Sequence, residues 1–179
     1  MVPKGVLIPI GGNEDKGLEH SENYTLDFIE DSILSHVVKE AGGPDANIVI
    51  IPTASSIPKE VSDNYLKGFS QLGCSNLRVL DIRNRLQSST KETIKILENA
   101  DAVMFSGGNQ SKISKFIAGT DAHELLVHRY ENERFVIAGT SAGAMAMSEQ
   151  MIAGGSSKES LNKGAVLMGK GWVWLKDLL

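Results

Sequence analysis

Cysteine is almost missing from the 179 residues: Cys74 stands alone. One cysteine cannot close an internal disulfide, which excludes a disulfide-stapled scaffold and suits a reducing compartment. Positive charge is not in excess either. The net charge is −4 and no basic face stands out, so nucleic acid is not expected as a partner. Long hydrophobic runs are lacking. The amino-terminal "MVPKGVLIPIGG" has a short apolar run that stops at a Gly-Gly turn, too short to span a membrane and without a signal-peptide cleavage pattern. It reads as a first buried strand, and the protein as cytoplasmic. No internal repeat, low-complexity segment or long linker occurs.

Two further absences narrow the chemistry. "GGNEDKG" lacks the Gly-Lys-Ser/Thr ending of a phosphate-binding loop. No metal-ligand spacing is evident: Glu14, Asp15 and His20 are close in sequence, but such residues in a polar loop are usually solvated. No cofactor is implied.

What is present suits one globular domain. The chain is 41% hydrophobic and 22% charged, with enough length to bury a core without staples. Residues 1–179 therefore read as a single α/β domain. Short apolar runs alternate with amphipathic stretches. Strands are expected at Gly5–Ile10, Asn47–Ile51, Leu77–Ile82, Ala102–Phe105 and Phe135–Ala138. Helices are expected at Thr25–Ala41, Pro58–Leu72 (closed by Gly73), Ser88–Asn99, Gln110–Ala118 and Ala122–Glu131. Nearly continuous apolar strands between helices predict a mainly parallel sheet with helices on both faces and right-handed crossovers. In such sheets a site forms at the carboxyl ends of strands. Those ends read "GGNEDKG", "PTASS", "IRNR", "SGGNQ" and "GTSAG".

The last of these carries the sharpest signal. Gly139-Thr140-Ser141-Ala142-Gly143 is a Gly-x-Ser-x-Gly turn after a strand and before helix-compatible sequence, the pattern of a nucleophile elbow. Small neighbours let the backbone turn sharply and present the Ser141 hydroxyl. The Ala142 amide would then point to where an oxyanion forms, and the Gly108 amide in "FSGGNQ" is the candidate second donor. The alternative is an ordinary serine in a tight turn. A hydroxyl also needs a base, usually histidine held by a carboxylate. His36 reads as a surface or packing residue, and His123 and His128 lie in the helix before the serine strand. His20 lies on the correct edge of the sheet in a long loop, where exposure to solvent is the simpler reading. Arg83 and Arg85 at a strand end could hold carboxylates bidentately, though surface salt bridges are the simpler reading.

With "PIGGNEDK" at Pro9–Lys16, "IPTAS" at Ile51–Ser55, "LDIRNR" at Leu80–Arg85, "FSGGNQSKI" at Phe105–Ile113 and "GTSAGAMAMSEQMI" at Gly139–Ile152, the chain resembles the cyanophycinases. They belong to the serine peptidase family that also holds aspartyl dipeptidase. The resemblance implies a fold like class I glutamine amidotransferase domains, with serine in place of cysteine at the elbow. It implies hydrolysis of cyanophycin, a polyaspartate with arginine on each side chain, to β-aspartyl-arginine dipeptides, and it suggests a homodimer. Ser141 matches the family nucleophile, Gly108 and Ala142 the oxyanion donors, Gln110 a residue near the substrate, and Glu159 the triad carboxylate. Read from the residues alone, Glu159 in "GGSSKES" is a solvated charge. In the family the catalytic histidine follows the next strand, in an Asp-Gln-His-Phe-like motif. The chain stops at Leu179, inside the strand-like "GAVLMGKGWVWLKDLL", about where that strand would run. The resemblance thus implies a C-terminally truncated chain without its base, inactive or severely impaired as given. Alternatives are an aspartyl dipeptidase-like hydrolase and a non-catalytic protein that binds a peptide or amide at the elbow. An ordinary α/β-hydrolase esterase fits poorly, because no His-Gly-Gly-type oxyanion loop is present.

Overall fold

The computed structural model describes residues 2–12, 14, 16, 32–155 and 166–171. Five strands form one parallel sheet: β1 (Val6–Ile10), β2 (Ile48–Ile51), β3 (Leu77–Val79), β4 (Ala102–Phe105) and β5 (Val136–Thr140), in the spatial order β1-β5-β4-β2-β3. The connections carry α1 (Ile33–Ala41), α2 (Pro58–Gln71), a 3₁₀ turn (Gln87–Ser89) with α3 (Lys91–Glu98), and α4 (Gln110–Ile117) with α5 (Asp121–Asn132). A five-residue helix α6 (Ala142–Ala146) follows β5, and β6 (Gln150–Gly155) pairs antiparallel with β7 (Val166–Lys170).

The apolar runs form strands because both faces are covered, and their two-residue period sorts them between two cores. Val49, Ile51, Val103, Phe105 and Ile137 face α3–α6, where Leu97, Ile113, Leu126 and Ala142 meet them. Ile48, Ile50, Met104, Val136 and Ala138 face α1 and α2, against Leu34, Val37, Tyr65 and Phe69. Each fully buried aliphatic side chain contributes about 1.5–3 kcal/mol, so the central strands β2, β4 and β5 anchor the sheet. The expected architecture, a mainly parallel α/β sheet with helices on both faces, is therefore the one observed.

Element ends follow capping chemistry. Ser32 accepts from the Ser35 amide at 3.1 Å to start α1, and Gly42 at φ 108° ends it. Pro58 occupies the first turn of α2, and the Gly73 amide closes on Ser70, as anticipated. Three expectations need correction. The helix expected from Ser88 starts at Lys91, because the Thr90 hydroxyl takes the Thr93 amide and makes Thr90 the cap. The strand expected to Ile82 stops at Val79, since β3 is an edge strand whose last bond is Leu80 N–H to the Ile50 carbonyl. The helical reading after Ser141 holds for five residues only, and Gln150–Gly155 is a strand. Residues 25–31 of the first expected helix lie outside the described residues, as do Trp172 and Trp174. Among the described residues, no helix is long and apolar enough to cross a membrane.

Candidate active site

Ser141 is the first residue beyond β5 and is, among the described residues, the sole non-glycine with positive φ. Its backbone sits at φ 49°, ψ −103°. That region costs an L-residue about 1–3 kcal/mol and persists only when the surroundings enforce it. Here they do. The Ser141 amide donates to the Ile10 carbonyl at 2.9 Å, and its own carbonyl accepts from Met145 at 2.9 Å. The turn also needs its glycines. A Cβ on Gly139 would lie 2.7 Å from the Gly143 carbonyl carbon, and one on Gly143 would lie 2.7 Å from the Phe105 carbonyl oxygen. The small residues of the pentapeptide thus record close backbone contact between α6 and the ends of β4 and β5. The strand–helix turn is a nucleophile elbow in geometry as well as in sequence.

β5 lies between β1 and β4, so the elbow stands between two Gly-Gly turns. A Cβ on Gly12 would be 3.5 Å from the Ser141 Cβ and 4.0 Å from its Oγ, and one on Gly107 would be 3.6 Å from the Ser141 Cβ. Backbone therefore flanks the serine on both sides, leaving it half-buried. The Cβ direction of Gly107 points at Ser141, while that of Gly108 points away from it. Gly108 has φ 136° and rests on the end of β2, where a Cβ would lie 2.3 Å from the Ala54 carbonyl oxygen. The next amide, Asn109, donates to that same oxygen at 2.9 Å. Ala142 is wholly buried at the start of α6.

The loop after β1 brings a carboxylate beneath the elbow. Glu14 is buried, with its side chain fully shielded. The Thr140 hydroxyl donates to its Oε2 at 2.5 Å and the Tyr65 hydroxyl donates to its Oε1. The Lys16 ammonium lies 3.1 Å from Oε1 and 4.9 Å from the centre of the Tyr65 ring. Burial by itself would push the Glu14 carboxyl up. The Thr140 and Tyr65 hydrogen bonds and the Lys16 charge outweigh it and hold the group below its ordinary value of 4.5. Burial, with the Glu14 charge beside it, pushes the Tyr65 phenol far up. Glu14 therefore corrects the sequence expectation of a solvated loop residue. No local pattern reveals this, because its partners stand 51 and 126 positions away.

The other expected site residues separate into groups. Gln110, at the first turn of α4, donates its amide to the Ile152 carbonyl of β6. Arg83 pairs with Asp81 at 2.6 Å and donates to the Ser55 carbonyl at 3.0 Å, the salt bridge weighed in the sequence. Arg85 reaches the end of α4, donating to the carbonyls of Lys115, Ala118 and Gly119 at 3.3, 2.8 and 3.1 Å. Its guanidinium is committed to that helix end rather than to the elbow. Glu159 and His20 lie outside the described residues. His36 is exposed on α1, the His123 Nδ1 accepts from the Gly119 amide at 3.1 Å, and His128 is exposed beside Asn132. Among the described residues, none hydrogen-bonds the Ser141 hydroxyl. The arrangement presents a serine of strained backbone flanked by backbone on both sides.

Comparison with known proteins bears on the same elements. The sequence pattern of Peptidase family S51 matches residues 20–168. A cyanophycinase from Geminocystis herdmanii is 38% identical over 165 residues, covering 92% of this chain and 57% of the relative. A cyanophycinase from Trichormus variabilis is 34% identical over 176 residues, covering 98% and 55%. The chain thus spans about half the length of the curated relatives it matches. Among solved structures, a peptidase from an acI-B1 Actinobacterium superposes with a TM-score of 0.71 at 18% identity, covering 97% of this chain and 66% of that one. A putative peptidase E from Listeria monocytogenes gives 0.59 at 19% identity, covering 95% and 75%. These two share the fold.

Proposed function

The chain belongs to peptidase family S51, and from that premise we propose that it is a serine-type peptidase with Ser141 as nucleophile and cyanophycin as substrate. The observation that carries this reading is the Ser141 backbone, held at φ 49° between Gly12 and Gly107. A structural serine has no need of that conformation. A nucleophile does, because the turn lifts its hydroxyl clear of the sheet at no reorganisation cost during reaction.

The Ser141 Oγ attacks the scissile carbonyl carbon as its proton passes to a histidine oriented by Glu159. The carbonyl oxygen becomes an oxyanion facing the Ala142 amide and a second amide from the Gly107–Gly108 turn. Collapse breaks the C–N bond, and the histidine gives its proton to the leaving amine. Water then enters by the same route and frees Ser141. The family's histidine follows the next strand and is not one of the four in residues 1–179, so on this reading residues 1–179 alone are inactive or severely impaired. Gln110 borders the substrate from the first turn of α4. Arg83, in the loop after β3, offers positive charge to polyaspartate carboxylates. The same reading takes residues 1–179 as one α/β domain, cytoplasmic and free of cofactor.

The test uses the complete reading frame. Release of β-aspartyl-arginine from cyanophycin is followed beside hydrolysis of Asp-X dipeptides, with Ser141→Ala as control. Polymer cleavage that falls at least about a thousandfold in Ser141→Ala supports the reading. Preference for dipeptides would transfer it to an aspartyl dipeptidase. Equal rates in the two proteins would remove Ser141 from the chemistry.

A further inference from the structure

The Glu14 carboxylate is too costly a group to serve as filler. A buried ion pair seldom stabilises a fold more than apolar side chains of the same volume would, so its presence calls for another reason. Its contacts supply one. Thr140, which holds Oε2, immediately precedes Ser141. Tyr65, which donates to Oε1, stands on α2 and is itself buried. Lys16 closes the loop from the other side, its ammonium on Glu14 and its backbone carbonyl against α2, where a Cβ on Gly68 would lie 3.0 Å from it. Between the β1 end and these anchors runs Gly12, whose backbone faces the Ser141 Cβ and Oγ.

We propose that Glu14 is a positioning residue for Ser141: its carboxylate clamps the loop after β1 onto Thr140 and Tyr65 and so holds Gly12 against the serine. The proposal rests on the reading of Ser141 as nucleophile. Two links then tie β1 and its loop to the elbow. One is the Ser141 amide on the Ile10 carbonyl. The other is the Thr140 hydroxyl on Glu14. The first fixes the backbone of the strained turn. The second fixes the wall that limits where the hydroxyl can swing. A carboxylate suits the task better than a neutral group, because it accepts from two hydroxyls and an ammonium at once without turning a donor on any of them.

The test combines hydrolysis with a chemical probe that needs no native base. In the complete reading frame, Glu14→Gln should lower kcat on the order of 10- to 100-fold with KM little changed, the cost of a nucleophile slightly misplaced. Thr140→Val should act in the same direction, and the double variant should be no slower than the slower single one, because both act through one contact. In parallel, Ser141→Cys is alkylated with iodoacetamide, with and without Glu14→Gln. Release of Gly12 should make the introduced thiol react several-fold faster, while hydrolysis moves the opposite way. Cys74 is the internal control. It is buried, and burial pushes its thiol up, so it labels only if the fold opens. If Glu14→Gln labels Cys74, the milder Thr140→Val is read in its place. An unchanged alkylation rate in a folded variant would overturn the proposal, as would a wild-type kcat. Failure of the nucleophile reading looks different. Ser141→Ala would then hydrolyse like the parent, while the alkylation pair would still report on the clamp.

Discussion

Replacing Ser141 with glycine should make the protein more stable while destroying its chemistry. At φ 49°, ψ −103° a Cβ costs about 1–3 kcal/mol. Glycine reaches the same region freely, but its unfolded chain is more flexible, which returns about 0.5–1 kcal/mol. The net gain is about 0–2.5 kcal/mol, centred near 1, a rise in Tm of a few degrees for a chain of this length. Ser141→Ala is the decisive comparison. It removes the hydroxyl but keeps the Cβ, so the strain stays and the stability should remain near that of the parent. The two backbone bonds at this residue, to Ile10 and from Met145, are unchanged in all three proteins. Thermal and urea unfolding of the three in one buffer read the difference directly. If glycine is no more stable than alanine, the turn stores no strain and the argument from backbone geometry to a nucleophile fails.

Gly143→Ala should destabilise by about 1–3 kcal/mol, because its Cβ would meet the Phe105 carbonyl oxygen at 2.7 Å; a shift in the urea midpoint at unchanged slope would show it. Arg85→Ala should lose about 1 kcal/mol through the three carbonyls it leaves at the end of α4, and Arg85→Lys should recover only part, since one ammonium cannot span all three. Acid should weaken the clamp in a definite window. The folded Glu14 pKa lies below its ordinary value of 4.5, so its contribution is full above the unfolded value and is lost as pH falls through the folded one. Unfolding free energies measured between pH 7 and pH 3 should therefore fall more steeply at the acid end for the parent than for Glu14→Gln.

Much of the fold was legible because β2 and β4 are apolar at every position, β5 is apolar until it reaches Gly139 and Thr140, and all three are buried throughout, which marks short runs such as Ile48–Ile51 as strands. The elbow was legible because its small residues form a compact local pattern, although only Gly139 meets its own unit while Gly143 meets Phe105 of β4. Boundaries failed where a side chain competed with periodicity, as at Thr90, or where an edge strand ran out of partners, as at Val79. The strand at Gln150–Gly155 was hidden because its pairing is with Val166–Lys170, and nothing in the small and apolar run after Ser141 marks where helix gives way to strand. Arg85 read either as a surface salt bridge or as a carboxylate ligand, because a strand-end arginine carries no label for the helix end it will cap.

The sequence by itself determined the layered architecture and the presence of a strained serine turn, since both follow from local spacing: two-residue alternation, apolar continuity, and residues too small to clash. Only the tertiary structure decided what surrounds that turn. The order β1-β5-β4-β2-β3 places β5 between β1 and β4, which sets Gly12 and Gly107 against Ser141 and brings Glu14 to Thr140 and Tyr65. Those contacts join residues up to 129 positions apart, Gly12 and Ser141. Their energy comes from burying a charge among specific donors, which no local pattern encodes.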